Sequence, residues 1–242
     1  MGDSPFWRGL KGAPPISAPS AALNYSDPMQ EDLAVTLETM RGCTRCDLVN
    51  GRTQVVPPMG DALSRVFLVG HAPARTDDVT GAPYTGPAGA LLEELLERVG
   101  LLRTQVWITN LTKCWPWQNT EQGRVNRVPR AGEIRVCTSN WLRRELELLQ
   151  PRALVCLGGP TAQHFLGKDF KITQSRGVWQ RLPASSPYAA VLERPVEVMA
   201  MLQPAYLIHL SEHAPESYPA ALEAMVQDLR EVRKVLEAGE GG

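Results

Sequence analysis

Four cysteines are spaced so that they could hold metal. Cys43 and Cys46 form a CxxC pair, and Cys114 and Cys137 follow at long intervals. A CxxC with two distant partners suits four thiolates on one zinc ion or four on an iron-sulfur cluster, since both take soft, anionic sulfur donors. The fifth cysteine, Cys156, lies inside the apolar run Ala-Leu-Val-Cys-Leu and reads as core. A second group suits recognition. Asn110 presents one carbonyl and one NH₂, and Tyr84 presents a flat aromatic face. The loops from Gly70 to Ala74 and from Gly81 to Gly89 are crowded with glycine and proline, so backbone amides there can approach a bound group closely. Asp77 and Asp78 offer carboxylates, and His71 offers an imidazole. Each has a plainer use as well: an asparagine at a strand end caps its own turn, a tyrosine fills a core, and an acidic pair caps a helix.

These residues need elements to position them. Arg65 to Gly70 is a short apolar run ending at glycine, and Val106 to Thr109, Ala153 to Leu157 and Val196 to Leu202 have the same character, so four buried strands are expected. Between them, Leu91 to Val99, Glu133 to Leu149 and a segment beginning at Thr161 carry helical periodicity. Asp32 to about Met40 precedes them as a short helix, and Pro219 to Leu236 closes the chain as an amphipathic one. Strands alternating with helices predict a three-layer α/β/α fold around a mostly parallel four-stranded sheet. In such sheets ligands bind at the carboxyl ends of the strands. The loops after Val69, Thr109, Leu157 and Leu202 are therefore the informative ones.

Residues 1–28 are rich in Pro, Ala, Gly and Ser and are expected to form a disordered extension, leaving 29–238 as one domain. A chain of 242 residues with 43% hydrophobic residues can bury one sizeable core. No apolar run reaches the ~18–20 residues of a membrane span, and the N-terminus lacks the order of a secretory signal, so a cytoplasmic protein without membrane attachment is expected. A formal net charge of -1 argues against coating nucleic acid by bulk electrostatics, and leaves a local basic groove open.

The loop motifs fall in a recognisable order. Gly70-His71-Ala72-Pro73-Ala74 is followed by Asp77 and Asp78, then by Gly81-Ala82-Pro83-Tyr84-Thr85-Gly86-Pro87-Ala88-Gly89, then by Asn110-Leu111-Thr112-Lys113-Cys114-Trp115-Pro116. Glu133, Ile134 and Cys137 come next, then Leu157-Gly158, Arg176-Gly177 and Leu202-Gln203-Pro204-Ala205. This order, running from Cys43 to about Leu207, resembles the family 4 uracil-DNA glycosylases, whose patterns are GEAPG, an acidic pair, GxPFVGxAG, TNxxKCxP, EIxxC, LG, RG and YHPA. The resemblance implies hydrolysis of the N-glycosidic bond of uracil in DNA, with DNA carrying uracil or another damaged base as partner and a monomeric protein. It implies a [4Fe-4S] cluster on Cys43, Cys46, Cys114 and Cys137, with zinc as the alternative, in a structural role. Gly70, Ala72, Ala74, Tyr84 and Asn110 would bind the base. An extruded base must be read at its Watson-Crick edge, and the Asn110 amide can pair with N3-H and O4 of uracil while mismatching cytosine. Lys113 and Arg176 would contact the DNA backbone, with Arg124, Arg127, Arg130, Arg143 and Arg144 as further sources of phosphate contacts.

Two catalytic positions differ from the family. His71 stands where the family has glutamate, Gln203 where it has histidine, and Ala74 replaces a glycine. Cleavage builds negative charge on base O2 and positive charge on the sugar. Gln203 can still donate a neutral hydrogen bond to O2, and a neutral His71 can orient or deprotonate water, with Asp77 or Asp78 supplying a carboxylate instead. No lysine nucleophile occurs at the motifs, so no lyase step is expected. Two alternatives follow from the changes: a protein that binds DNA or a lesion without cleaving it, and a glycosylase for another deaminated base such as hypoxanthine.

Overall fold

The computed structural model describes residues 27–238, so the expected disordered extension lies outside the described residues except for its last two. Those two begin the first helix. Asp27 caps α1 (Pro28–Arg41) by accepting from the Met29 amide at 2.9 Å, and Pro28 stands at the first helical position. The helix therefore starts earlier than its apolar periodicity suggests. There follow β1 (Met59–Gly60), β2 (Val66–Gly70), α2 (Arg75–Thr80), α3 (Pro87–Arg98) and β3 (Trp107–Asn110). A hairpin of β4 (Trp117–Thr120) and β5 (Gly123–Asn126) precedes α4 (Ala131–Cys137), a π-helical turn over Thr138–Leu142, and α5 (Arg143–Leu149). The chain continues through β6 (Ala153–Leu157), α6 (Gly159–Leu166), α7 (Ile172–Ser175), β7 (Gln180–Arg181), β8 (Glu197–Met201), α8 (Pro204–His213) and α9 (Tyr218–Glu237).

The main sheet runs β1-β3-β2-β6-β8-β7. Its four inner strands are parallel, as expected, and antiparallel strands of two residues each extend it at both edges. Strand alternation sorts the core into two layers. Val66, Leu68, Ile108, Ala153, Val155, Leu157, Met199 and Met201 pack against residues of α3, α8 and α9. Their neighbours Phe67, Val69, Trp107, Leu154, Cys156, Val198 and Ala200 face the other way, against α1, α5 and α6. Cys156 is thus a core residue. From β2 the sheet is extended to β3 on one side and to β6 and β8 on the other, which puts the topological switch point between β2 and β6. A third, smaller apolar cluster holds Met40, Leu48, Val55 and Trp141 together with the four cysteines of the motifs.

Candidate active site and cysteine pocket

At the carboxyl edge the loops after β2 and β3 are joined directly: Leu111 N-H donates to the Gly70 carbonyl at 2.9 Å, and Thr112 N-H to the His71 carbonyl at 3.3 Å. Three expected site residues converge there. A β-carbon placed on Gly70 would collide with Asn110 Oδ1 and with the Tyr84 hydroxyl, so the glycine leaves the notch in which those two groups meet. Asn110 is 2% exposed, yet its Oδ1 has no hydrogen-bond partner. A buried carbonyl left unsatisfied costs about 1–3 kcal/mol, so it marks a place where a ligand can repay the loss.

Tyr84 is held in a conformation that non-glycine residues avoid, with φ 56°. Neighbours fix it from several sides. The Arg103 guanidinium donates to the carbonyls of Pro83 and Tyr84, Asp77 accepts from the Thr85 amide at 2.8 Å, and Gly89 lacks the β-carbon that would strike the Tyr84 carbonyl. Such over-determined strain is typical of functional loops. Burial, with the Asp77 carboxylate adding to it, pushes the Tyr84 phenol well above its ordinary pKa, so it stays a neutral donor.

The acidic pair serves the loop. Asp77 accepts from the Ala74 amide at 2.9 Å, from Thr85 N-H and from Thr85 Oγ1-H, while Asp78 accepts from the Thr53 amide through both oxygens, at 3.0 and 2.8 Å. Of the two uses open to these carboxylates, helix capping and turn holding is the one this geometry has. Ala74 is the extended residue before α2, and Ala72 lies in the preceding turn.

His71 is half-buried, and desolvation lowers its pKa from 6.5. His164 on α6, which the sequence marks only as a histidine within a helix, stands close enough to feel it. Burial, with His71 adding to it, holds His164 down to about 4, and its Nε2 shares a 2.6 Å hydrogen bond with the Tyr188 hydroxyl. The two imidazoles flank the switch point between β2 and β6. Gln203 caps the end of β8 beside Gly158, where a β-carbon would sit 3.3 Å from Gln203 Cβ. It therefore shares the carboxyl edge but lies across the switch point from Asn110.

One expected DNA contact is corrected, and the second is partly engaged within the fold. Lys113 is buried, 1% exposed, and its ammonium pairs with the fully buried Glu145 at 2.6 Å, with the Asn110 main-chain carbonyl at 2.7 Å and with Thr109 Oγ1. Trp107 Nε1-H satisfies the other Glu145 oxygen at 3.1 Å. Lys113 thus anchors the turn that presents Asn110. Arg176 is turned onto α9, where it donates to both oxygens of the buried Asp228 at 2.6 Å and to the Ala224 carbonyl. Among the other arginines, Arg124 lies over the Trp117 ring at 4.1 Å, Arg127 is bound by Glu133, and Arg144 pairs with Glu147. Arg143, with Arg135, Ser139, His164 and Tyr188, lines an open groove of about 390 Å³ beside the π turn.

The four cysteines share one pocket, and N-H groups are aimed at three of their sulfurs. Arg52 Nη1 donates to Cys114 Sγ at 3.1 Å, the Lys113 amide to Cys137 Sγ at 3.2 Å, and Trp141 Nε1 to Cys43 Sγ at 3.3 Å. Burial pushes the free thiols of Cys114 and Cys137 up to about 11 and about 12, and raises that of Cys46. Donors directed at sulfur suit thiolate ligands, which accept hydrogen bonds far better than thiols do. No three His, Cys, Asp or Glu side chains among the described residues are grouped tightly enough for one ion. Also among the described residues, no helix is long and apolar enough to cross a membrane.

A profile of the Uracil DNA glycosylase superfamily matches residues 57–230. The Type-4 uracil-DNA glycosylase of Archaeoglobus fulgidus is 38% identical over 133 residues, which cover 55% of this chain and 63% of that protein. The Type-4 enzyme of Thermotoga maritima is 36% identical over 149 residues, 61% of this chain and 73% of the relative. A Type-5 uracil-DNA glycosylase of Pyrobaculum aerophilum is 39% identical over 118 residues, 43% of this chain and 48% of its own length. The chain therefore spans somewhat less than two thirds of the Archaeoglobus protein and somewhat more of the Thermotoga one.

Proposed function

We propose that this chain, which belongs to the uracil DNA glycosylase superfamily, hydrolyses the N-glycosidic bond of uracil in DNA and leaves an abasic site. The observation that carries this is the notch at Gly70, where the buried, unpartnered Asn110 carbonyl meets the Tyr84 hydroxyl. An extruded uracil brings a donor, N3-H, to that carbonyl and an acceptor, O4, to the amide NH₂, while the Tyr84 ring offers a face for stacking. Cytosine brings the opposite pattern and leaves both groups unsatisfied.

Gln203 donates its amide hydrogen bond toward base O2, where negative charge collects as the bond breaks. His71, kept neutral by its surroundings, orients or deprotonates the attacking water. Asp77 and Asp78 hold the α2 loop in place. Arg135 and Arg143 in the groove beside His164 take the place of Lys113 and join Arg176 as candidates for phosphate contact.

Cys43, Cys46, Cys114 and Cys137 would hold a [4Fe-4S] cluster. The three N-H donors aimed at sulfur support thiolate ligands, and the resemblance to the family 4 enzymes favours a cluster over zinc. Bound there, the cluster would cross-link the CxxC segment to the region between β3 and α4.

Release of uracil from a labelled oligonucleotide by anaerobically purified protein tests the proposal, with a visible absorbance spectrum taken alongside. Alkali-labile abasic product is expected. Cluster-loaded protein that binds uracil-DNA tightly and releases nothing would overturn it in favour of a lesion-binding role, a reading supported by the neutral groups at both altered positions.

A further inference from the structure

Arg52 lies between the CxxC pair and β1, outside every motif described above. Its guanidinium spans the cysteine pocket: Nη1 donates to Cys114 Sγ at 3.1 Å, and Nη2 donates to the Cys43 carbonyl. It thus joins the N-terminal half of the ligand set to the distal half in one planar fork. The neighbouring residues fasten the same segment to the active-site loop. Thr53 N-H is held by both Asp78 oxygens, and Gln54 Nε2 donates to the Val79 carbonyl at 2.9 Å. Gly51, with φ 103°, sits where a β-carbon would strike the Trp117 indole, and its carbonyl accepts from Arg124 at 2.9 Å. Arg52 is therefore fixed from both sides while its charge points at sulfur.

A neutral thiol gives a guanidinium little, but a thiolate forms a charge-assisted hydrogen bond with it. A [4Fe-4S] centre on four thiolates carries net negative charge in either common oxidation state, and its potential and stability depend on nearby charge and on hydrogen bonds to sulfur. We propose that Arg52 is the positioning residue of the cluster site: it offsets the cluster's negative charge and holds Cys43 and Cys114 at the separation the cluster needs. The proposal rests on the reading that these four cysteines carry a [4Fe-4S] cluster.

Arg52→Gln and Arg52→Lys test it in full-length, anaerobically purified protein. The readouts are the reduction potential and the rate at which an iron chelator bleaches the visible absorbance. In R52Q the potential shifts to more negative values, because reduction adds an electron without the compensating cation, and bleaching accelerates about tenfold. In R52K the potential stays near that of the parent, while bleaching still accelerates, because the ammonium cannot bridge both partners. R52Q matching the parent in both readouts overturns the proposal while leaving the cluster reading intact. If R52Q does not accumulate as folded protein, R52K decides: parental bleaching shows that the fork is dispensable, and a negative shift in potential shows that charge is not what Arg52 supplies. A parent protein carrying zinc, or no metal, overturns the cluster reading and the proposal with it.

Discussion

Lys113→Met is expected to destabilise the protein, with any effect on DNA binding secondary. The ammonium it removes is 1% exposed and is the cationic partner of Glu145, which has no exposed side-chain surface. Methionine keeps most of the length and packing, so the change isolates the charge. Glu145 is left in the core with Trp107 Nε1-H as its remaining donor. Removing one partner of a buried ion pair costs about 3–5 kcal/mol, because the other charge stays desolvated. At roughly 2–4 °C per kcal/mol for a domain of this size, Tm should fall by about 6–20 °C. The Asn110 main-chain carbonyl loses its donor in the same step, so uracil excision should fall as well. Lys113→Met/Glu145→Leu removes both charges and is expected to recover most of the lost stability. Thermal unfolding followed by circular dichroism checks this, together with DNA affinity at several salt concentrations. A lysine on phosphate would behave differently: Tm would hold, and the slope of log K against log salt would shrink by about one. That outcome for K113M would refute the buried-pair account.

The remaining predictions concern the pocket and its histidines. Asn110→Asp replaces the NH₂ donor with an anionic acceptor and is expected to lower uracil excision about a hundredfold or more without unfolding the protein; single-turnover kinetics with parental activity would contradict the pocket. Gly70→Ala fills the notch between Asn110 and Tyr84, so excision is expected to be lost while Tm drops by a few degrees, equivalent to about 1–3 kcal/mol of overpacking. Because burial lowers His71 below 6.5, its imidazole is mostly neutral at that pH, and the acid limb of kcat/KM should lie below 6.5 and vanish in His71→Gln; a limb above 6.5 would exclude His71 as the titrating base. His164 titrates near 4 when folded and near 6.5 when unfolded, so the unfolded chain binds more protons between those values. Its contribution is complete above pH 6.5 and is lost toward pH 4, about 2 kcal/mol after allowing for partial exposure, and denaturant titrations of His164→Gln should show a shallower acid decline than the parent.

The sequence speaks clearly where structure is local. The continuous apolar runs in Val66–Gly70 and Ala153–Leu157 read directly as buried parallel strands, and the ends of β2, β3 and β8 carry Gly70, Asn110 and Gln203 to the expected edge. The two-residue strands β1 and β7 are too short to leave a periodic signal, and the polar hairpin β4–β5 has the composition of a loop. The charged residues mislead for a different reason. A lysine and an arginine beside the family's motifs read as phosphate contacts, but their charged partners lie far along the chain, in Glu145 on α5 and Asp228 on α9. Neither partner is identifiable from spacing. Asp77 lies between these cases: Ala74 and Thr85 are close in sequence, and capping was one of the two uses its position allowed.

The fate of those charges bears on catalysis. At the carboxyl edge, Asp77 and Asp78 are bound by backbone N-H groups, Lys113 by Glu145, and Arg103 by the carbonyls of Pro83 and Tyr84. On the proposed reading, the groups left to act on a base are the amides of Asn110 and Gln203, the Tyr84 phenol and a His71 whose protonation is opposed by burial. Such a site would work through oriented dipoles. Dipoles fixed before the reaction stabilise developing charge without reorganising, but each gives less than an ionised partner in the same place. Restoring the family's residues singly therefore has unequal consequences. Gln203→His places an imidazole beside Gly158, where it can donate to the departing base. His71→Glu puts a carboxylate at a half-buried position, where desolvation favours its neutral form. A site of this kind gains more from Gln203→His than from His71→Glu, and a larger gain from the second would show that the stabilisation missing from the altered site is on the sugar side.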